Sequence, residues 1–119
     1  MTAKKSEKRL SDTPMPDTDN EGFLLDPTEW NREIAEIIAR SENITMTNDH
    51  WFVVKYIRDY HELHQSVPEF RKALKYTKEH LSQEKATRKY IYSLFPYGYG
   101  QQACKIAGMR KPLKLMLDL

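Results

Sequence analysis

The single cysteine at position 104 is the one side chain in this sequence suited to soft nucleophilic chemistry. We expect Cys104 near the start of a short helix over residues 101–107. There, backbone N–H groups without helical partners and the adjacent Lys105 would favour the thiolate. The alternative is that Cys104 packs as a small apolar residue beneath the C-terminal segment, as cysteines outside disulfides often do. The sequence leaves both interpretations open. Since no other side chain suits this chemistry, Cys104 is the only candidate catalytic residue.

Two histidines, His61 and His64, lie three residues apart on a predicted helix and are the next candidates for chemistry. The string His-Glu-Leu-His resembles a zinc-protease helix, but that motif needs its second histidine at position 65, which is Gln65. A third ligand is not evident, and a single cysteine cannot build a thiolate metal cage. The sequence therefore predicts neither a metal site nor a cofactor.

Four basic residues recur at spacings of three and four on the third predicted helix: Arg71, Lys72, Lys75 and Lys78. Because this helix follows another after a short turn, the pair resembles a helix-turn-helix. Such a row is able to contact DNA phosphates or a protein partner. The alternative is a solvated face of an amphipathic helix, which is the commoner state of such a pattern.

Capping residues and apolar spacing predict the elements that would position these side chains, and they give a mostly α fold. The expected helix starts are Asp26, Thr47 and Ser66. The third helix should run from Val67 to Leu81 and a fourth from about Glu84 to Leu94, where Pro96 stops it. Gly108 should close the short helix in a left-handed conformation. The run Phe23–Leu25 favours a strand of a short N-terminal β-hairpin.

Composition divides the chain into three parts. Residues 1–20 carry charges and prolines with little apolar content, so we expect them to be disordered. Residues 21–108 should form one small helical domain, because the chain is too short for two. Residues 109–119 are expected to be an arm, since Pro112 blocks a helix. In an extended arm, alternating leucines at 113, 115, 117 and 119 would share one side and pack on this domain or a partner.

Charge is unevenly distributed although the net charge is only +2. Residues 21–65 hold four bases and nine acids, a net of −5, whereas residues 66–119 hold eleven bases and four acids, a net of +7. The basic half would meet nucleic acid, an acidic partner, or the acidic half of its own fold. No apolar run approaches the roughly 20 residues that cross a bilayer, and one cysteine suits a reducing cytosol, so we expect a cytoplasmic protein.

Several segments, in the same order along the chain, resemble the DsrC/TusE family of small sulfur-relay proteins. The C-terminal resemblance rests on Leu94-Phe95-Pro96-Tyr97-Gly98, Gln102-Ala103-Cys104-Lys105-Ile106-Ala107-Gly108 and Lys111-Pro112. Further segments similar to the family, in the expected order, are 19–30, 47–51, 57–60 and 90–92. The resemblance covers about residues 19–112 and implies a small helical domain with an N-terminal hairpin and a C-terminal arm, to which the residue pattern adds a helix-turn-helix-like centre.

The resemblance also implies a function and a departure from it. Family members carry sulfur as a persulfide on a penultimate cysteine of the arm, and some have a second cysteine at the position of Cys104. The arm cysteine should lie eleven residues beyond Cys104, and that position is Leu115. We therefore expect a sulfur-relay accessory protein that is impaired as a carrier and acts on protein partners of a sulfur-transfer or sulfite-reductase system. The alternative is a regulatory or DNA-binding module that retains the fold, and the sequence leaves the oligomeric state open.

Overall fold

The N-terminal part of the described chain is a tight turn closed by one antiparallel bridge, between Thr18 and Leu24. The protein is described by a computed structural model covering residues 14–113. The Asp19 carboxylate shapes the turn by accepting hydrogen bonds from the backbone N–H groups of Glu21 and Phe23, at 2.8 and 3.0 Å. Gly22 has a φ of 93°, which favours glycine. The predicted β-hairpin is thus reduced to a single bridge in the described chain.

The first helix starts later than the capping pattern around Asp26 predicts. Asp26 accepts a hydrogen bond from the backbone of Thr28 at 3.0 Å, but it caps only a 3₁₀ turn, Pro27–Glu29. Helix α1, Arg32–Ser41, has its own cap, the Asn31 side chain, which accepts from Ile34 N at 2.9 Å. Two caps in series place Trp30 between two elements rather than on a helix.

Helix α2, Asn48–His64, begins where the sequence predicts, at a Thr47 cap. Thr47 and His50 form a reciprocal capping box, in which the Thr47 N–H donates to His50 Nδ1 at 3.0 Å. The buried face of α2 carries His50, Val53, Val54 and Ile57. The helix ends at Gln65, whose φ of 57° is left-handed.

Helix α3, Phe70–His80, starts three residues later than predicted, and Ser66 does not cap it. Its N-cap is Glu69, with no side-chain cap. The reason is tertiary: the Pro68 carbonyl accepts the hydroxyl of Tyr99 at 2.8 Å and so leaves the helical ladder. Helices α2 and α3 are in contact, with the rings of Tyr56 and Tyr76 stacked at 4.3 Å between centroids. They form the helix-turn-helix-like centre.

Helix α4, Arg88–Leu94, is shorter than the predicted helix from Glu84. It starts at a Thr87 cap, which accepts from Tyr90 N at 3.0 Å. Before it, Lys85 reaches across to Asp49 at 2.8 Å. The helix ends before Pro96, as predicted.

The core gathers side chains from all of these helices around the segment from Tyr99 to Met109. The fold is mostly helical, and no helix within residues 14–113 is long and apolar enough to span a bilayer. The predicted boundary at residue 20 falls inside the N-terminal turn, while residues 1–13 lie outside the described chain. Of the predicted arm, only residues 109–113 are described. Met109 is buried and Leu113 is 71% exposed, whereas Leu115, Leu117 and Leu119 lie outside the described residues.

Candidate functional site

The segment that carries Cys104 combines a π-helical turn, Tyr99–Ala103, with a short helix α5, Cys104–Ile106. The turn gives Cys104 a backbone partner that a free helix start would lack, because its N–H donates to the Tyr99 carbonyl. The Cys104 side chain is fully buried, with 0% of its surface exposed. The N–H of Cys104 is therefore not one of the unpartnered groups expected at a helix start.

Gly108 closes this segment in the predicted left-handed conformation, with a φ of 78°. The Met109 N–H donates to the Cys104 carbonyl at 3.1 Å and the Gly108 N–H to that of Lys105 at 3.0 Å, the paired bonds of a Schellman cap. A Cβ at Gly108 would lie 2.2 Å from Trp30 Cδ1, so the residue is required by packing as well as by φ. Sequence reasoning found the conformation and missed this contact.

Trp30 and Arg58 hold the end of α5 from the outside. The indole Nε1 of Trp30 donates to the Ile106 carbonyl at 2.8 Å, and Arg58 Nη1 donates to that of Ala107 at 2.8 Å. The second Arg58 nitrogen, Nη2, donates to Pro27 O at 3.2 Å, and its guanidinium lies 4.2 Å from the centre of the Trp30 ring. Arg58 thus ties α2 to the 3₁₀ turn and to the end of α5, and its position in the sequence gave no sign of this role.

Lys105 is directed to Glu42, at the end of α1, and not to the thiol beside it in sequence. Its Nζ lies 2.9 Å from Glu42 Oε2, while Gln102 Nε2 donates to Glu42 Oε1 at 3.0 Å. Burial alone would raise the pKa of Glu42, but the hydrogen bonds from Gln102 and Lys105 outweigh it and lower that pKa. The Lys105 ammonium is thus paired with a carboxylate, and its stabilisation of a Cys104 thiolate stays a prediction.

These contacts define what Cys104 is able to do. A thiol reacts as the thiolate and needs access to its co-reactant, and buried structural cysteines are inert. Cys104 is enclosed by the core, and the charges nearest in sequence are engaged elsewhere. Of the two arrangements expected for Cys104, the structure has the packed one.

The other candidate side chains are not brought to Cys104. All four basic residues of α3 are exposed, and Arg71 pairs with Glu69 at 3.2 Å. At 100° per residue, Lys72 lies apart from the face shared by Arg71, Lys75 and Lys78.

The two candidate metal ligands on α2 lie in different surroundings. The ring of His64 packs on Tyr60 at 4.2 Å between centroids, while His61 lines a cleft. Within residues 14–113 no group of three or more metal-ligating side chains occurs.

That cleft was not anticipated from the sequence. It has a volume of about 580 Å³ and lies between the 3₁₀ turn and the outer face of α2. Both tryptophans of the chain, Trp30 and Trp51, line it. Each carries an arginine on its ring, Arg58 on Trp30 and Arg32 on Trp51 at 3.8 Å. Aromatic residues next to a capping pattern were the available signal, and their spacing alone does not distinguish a cleft from core.

Comparison with known proteins agrees with this architecture. The family described as "DsrC like protein" matches residues 11–116. The sulfurtransferase TusE of Yersinia pseudotuberculosis is 39% identical over 98 residues, covering 82% of this chain and 91% of the relative. TusE of Escherichia coli is 38% identical over 98 residues, covering 82% and 90%.

Solved structures give the same grouping. The oxidized gamma-subunit of the dissimilatory sulfite reductase (DsrC) from Archaeoglobus fulgidus superposes with a TM-score of 0.76 at 36% identity, covering 82% of this chain and 89% of that one. DsrC of Allochromatium vinosum gives 0.74 at 38% identity, covering 81% and 86%. This chain belongs to the DsrC/TusE family of sulfur-relay proteins.

Proposed function

We propose that this chain is a docking member of its family, which serves a cytoplasmic sulfur-transfer or sulfite-reductase system by contacting protein partners and does not itself carry sulfur. One observation carries the proposal: the only thiol, Cys104, is fully buried, and the arm position eleven residues beyond it is Leu115. Sulfane-sulfur transfer moves a neutral sulfur atom from a donor persulfide to an acceptor thiolate and releases the donor thiolate. A leucine has no acceptor atom for this step, and a buried thiol cannot meet the donor.

Restoring the missing acceptor tests the proposal. In the Leu115→Cys chain, a low-molecular-weight persulfide donor should add one sulfur at position 115, read by intact mass and peptide mapping. The unsubstituted chain should take up sulfur at Cys104 much more slowly, because the native fold must open first. Cys104→Ser should remove that slow adduct and leave the adduct at position 115 of a Leu115→Cys/Cys104→Ser chain unchanged.

Two outcomes contradict the proposal. The first is native Cys104 taking up sulfur as fast as position 115 of the restored chain, which would make Cys104 a carrier. The second is an adduct that survives Cys104→Ser in the otherwise unsubstituted chain. Circular dichroism of each variant controls for loss of the fold, since an unfolded chain would expose Cys104 whatever its native role.

A regulatory or DNA-binding module is the second candidate. The family relationship does not favour it, and the one feature compatible with it is the set of exposed basic residues on the second helix of the helix-turn-helix-like pair: Arg71, Lys72, Lys75 and Lys78. Exposed lysines are also the ordinary state of a surface helix. This alternative requires duplex binding that weakens steeply with salt, because phosphate contacts release counterions. Lys72→Glu/Lys75→Glu should then weaken binding to all sequences equally, and absence of duplex binding at low salt excludes it.

A further inference from the structure

The surface side of the contact between α2 and α3 carries a row of aromatic rings. Three of them are tyrosines: Tyr56 and Tyr60 on α2, and Tyr76 on α3. The rings of Tyr56 and Tyr76 are stacked, with an angle of 22° between their planes and 4.3 Å between their centroids. Tyr60 is a more distant neighbour of Tyr56, at 6.0 Å and 57°. The stacked pair of phenols therefore lies across two helices.

The hydroxyl groups of these three tyrosines lack partners in the described part of the chain. All three side chains are half-buried, and within residues 14–113 none of the three hydroxyls forms a hydrogen bond to a protein group. Tyr90 differs, because its hydroxyl donates to Asp49. Burial raises the pKa of Tyr56 to about 12, and the phenols of Tyr60 and Tyr76 add to this rise. The second cause requires the three phenol groups to lie close together.

We propose that Tyr56 and Tyr76 form a site of oxidative cross-linking, at which a carbon–carbon bond joins the two rings. Each phenol loses one electron and its hydroxyl proton and becomes a phenoxyl radical. The two radicals couple through the ring carbons next to the carbons that bear oxygen. The hydrogens of the coupled carbons then move to the oxygens, which restores both phenols. The oxidant is hydrogen peroxide activated by a haem peroxidase; it accepts the two electrons and two protons and becomes two water molecules.

The fold supplies the proximity that this coupling needs. Holding two reactants in contact replaces a bimolecular encounter with a step inside one molecule. Helices α2 and α3 pack on each other, so the two rings stay together in the native state. The ring centroids of the coupled product are about as far apart as those of the stacked pair. Coupling therefore requires the rings to turn and the helices to move little.

The cross-link would fix α3 on α2. It closes the chain from Tyr56 to Tyr76 into a covalent loop, which restricts the unfolded state in the same way as a disulfide does. The cross-linked chain should therefore need a higher urea concentration for half-unfolding than the untreated chain. This proposal goes beyond the proposed function and does not depend on it.

Trypsin separates the two rings into short peptides, so the bond is directly observable. Cleavage at the basic residues around them releases residues 56–58 and 76–78, each with one tyrosine. The folded full-length chain is treated with a haem peroxidase and hydrogen peroxide, and the monomer is then isolated and digested. We expect the two peptides to be joined, with a mass lower than their sum by two hydrogen atoms, and to show dityrosine fluorescence.

Tyr76→Phe keeps the stacked ring and removes one phenol, so the joined peptide should be absent. Tyr60→Phe is the matched control, because it makes the same change at the other neighbouring phenol and should leave the yield unchanged. Circular dichroism checks the fold of each variant, and oxidation of N-acetyltyrosine amide in a parallel reaction shows that the oxidant is active. Unjoined peptides 56–58 and 76–78 under these conditions would overturn the proposal. Joining of 56–58 to residues 59–71, which carry Tyr60, would overturn it as well.

Discussion

Thr47 and His50 cap the start of α2, and His50 also contacts a distant part of the chain. Thr47 was predictable as a cap because its partners lie within the next turn. His50 completes that cap with Nδ1, and its Nε2 contacts the Leu94 carbonyl at 2.9 Å, a partner 44 residues away. Nδ1 accepts from the Thr47 amide, so the proton sits on Nε2 and the ring is neutral. The local sequence pattern predicts the Thr47 cap of α2 but not the contact of His50 with the Leu94 carbonyl.

The neutral state of His50 gives a prediction about pH. Burial lowers the pKa of His50 below its ordinary value of 6.5, despite the opposing effects of the Leu94 carbonyl and Asp49. The native state therefore binds a proton less readily than the unfolded chain. The contribution of His50 to stability is fully present above about pH 6.5 and is lost as pH falls through the lowered native value.

Urea denaturation at pH 7.5 and 5 measures this effect. His50→Gln keeps a side chain able to complete the capping box but cannot be protonated. We expect the difference in unfolding free energy between the unsubstituted chain and His50→Gln to shrink at pH 5. Val53→Ala, at a position on the same buried face with no titratable group, is the control, and its destabilisation should be the same at both pH values. A constant difference for His50→Gln across this range would contradict the neutral assignment.

At the scale of elements, the segment from Tyr99 to Gly108 is held by contacts that its own sequence does not reveal. The sequence predicted a short helix ending at Gly108, and its end is confirmed. Its beginning is a π turn, because the Tyr99 hydroxyl donates to the Pro68 carbonyl and the Cys104 N–H donates to the Tyr99 carbonyl. The same hydrogen bond from Tyr99 delays the start of α3. Capping patterns missed both starts since each depends on the other.

The ion pair between Lys105 and Glu42 anchors this segment to α1. Removing the lysine should therefore lower the free energy of unfolding. Lys105 is 8% exposed, so Lys105→Met leaves the Glu42 carboxylate in place with Gln102 as its remaining side-chain donor among residues 14–113. We expect a loss of about 3 kcal/mol in unfolding free energy, as for breaking one side of a buried pair.

Lys111→Met is the matched control for this loss. Lys111 and Glu21 form a pair of the same kind whose side chains are 51% and 45% exposed. Exposed pairs contribute about 0–1 kcal/mol. Similar losses for the two substitutions in chemical denaturation would show that burial of the Lys105 pair has no special weight.

For the whole molecule, the uneven charge along the sequence is partly resolved by internal pairing. Lys85, Lys105 and Lys111, all from the basic half, pair with Asp49, Glu42 and Glu21 of the acidic half. Internal complementarity was one of three interpretations of that asymmetry, and these contacts support it. The basic row on α3 takes no part in them, so an external partner for that row stays a prediction.

Global stability should control the reactivity of Cys104, because the core encloses it. We expect alkylation by iodoacetamide to be slow in native buffer and to rise with urea in parallel with global unfolding measured by circular dichroism. Leu113→Cys in a Cys104→Ser background is the control, since position 113 is 71% exposed and should react without urea. Alkylation of Cys104 at a rate independent of urea would indicate a local opening that the packed core does not suggest.

The central place of residues 99–109 in the core bears on how the protein is made. Trp30 bonds to Ile106, 76 residues later, and Glu42 to Lys105, 63 residues later. During synthesis, α1 and α2 therefore emerge from the ribosome before the segment that covers their apolar faces. Contacts of such long sequence separation also slow folding. Ribosome-bound chains that stop short of residue 99 would lack this cover over Ile34, Ile38 and Ile57, so we expect chaperone binding to be strongest at that stage.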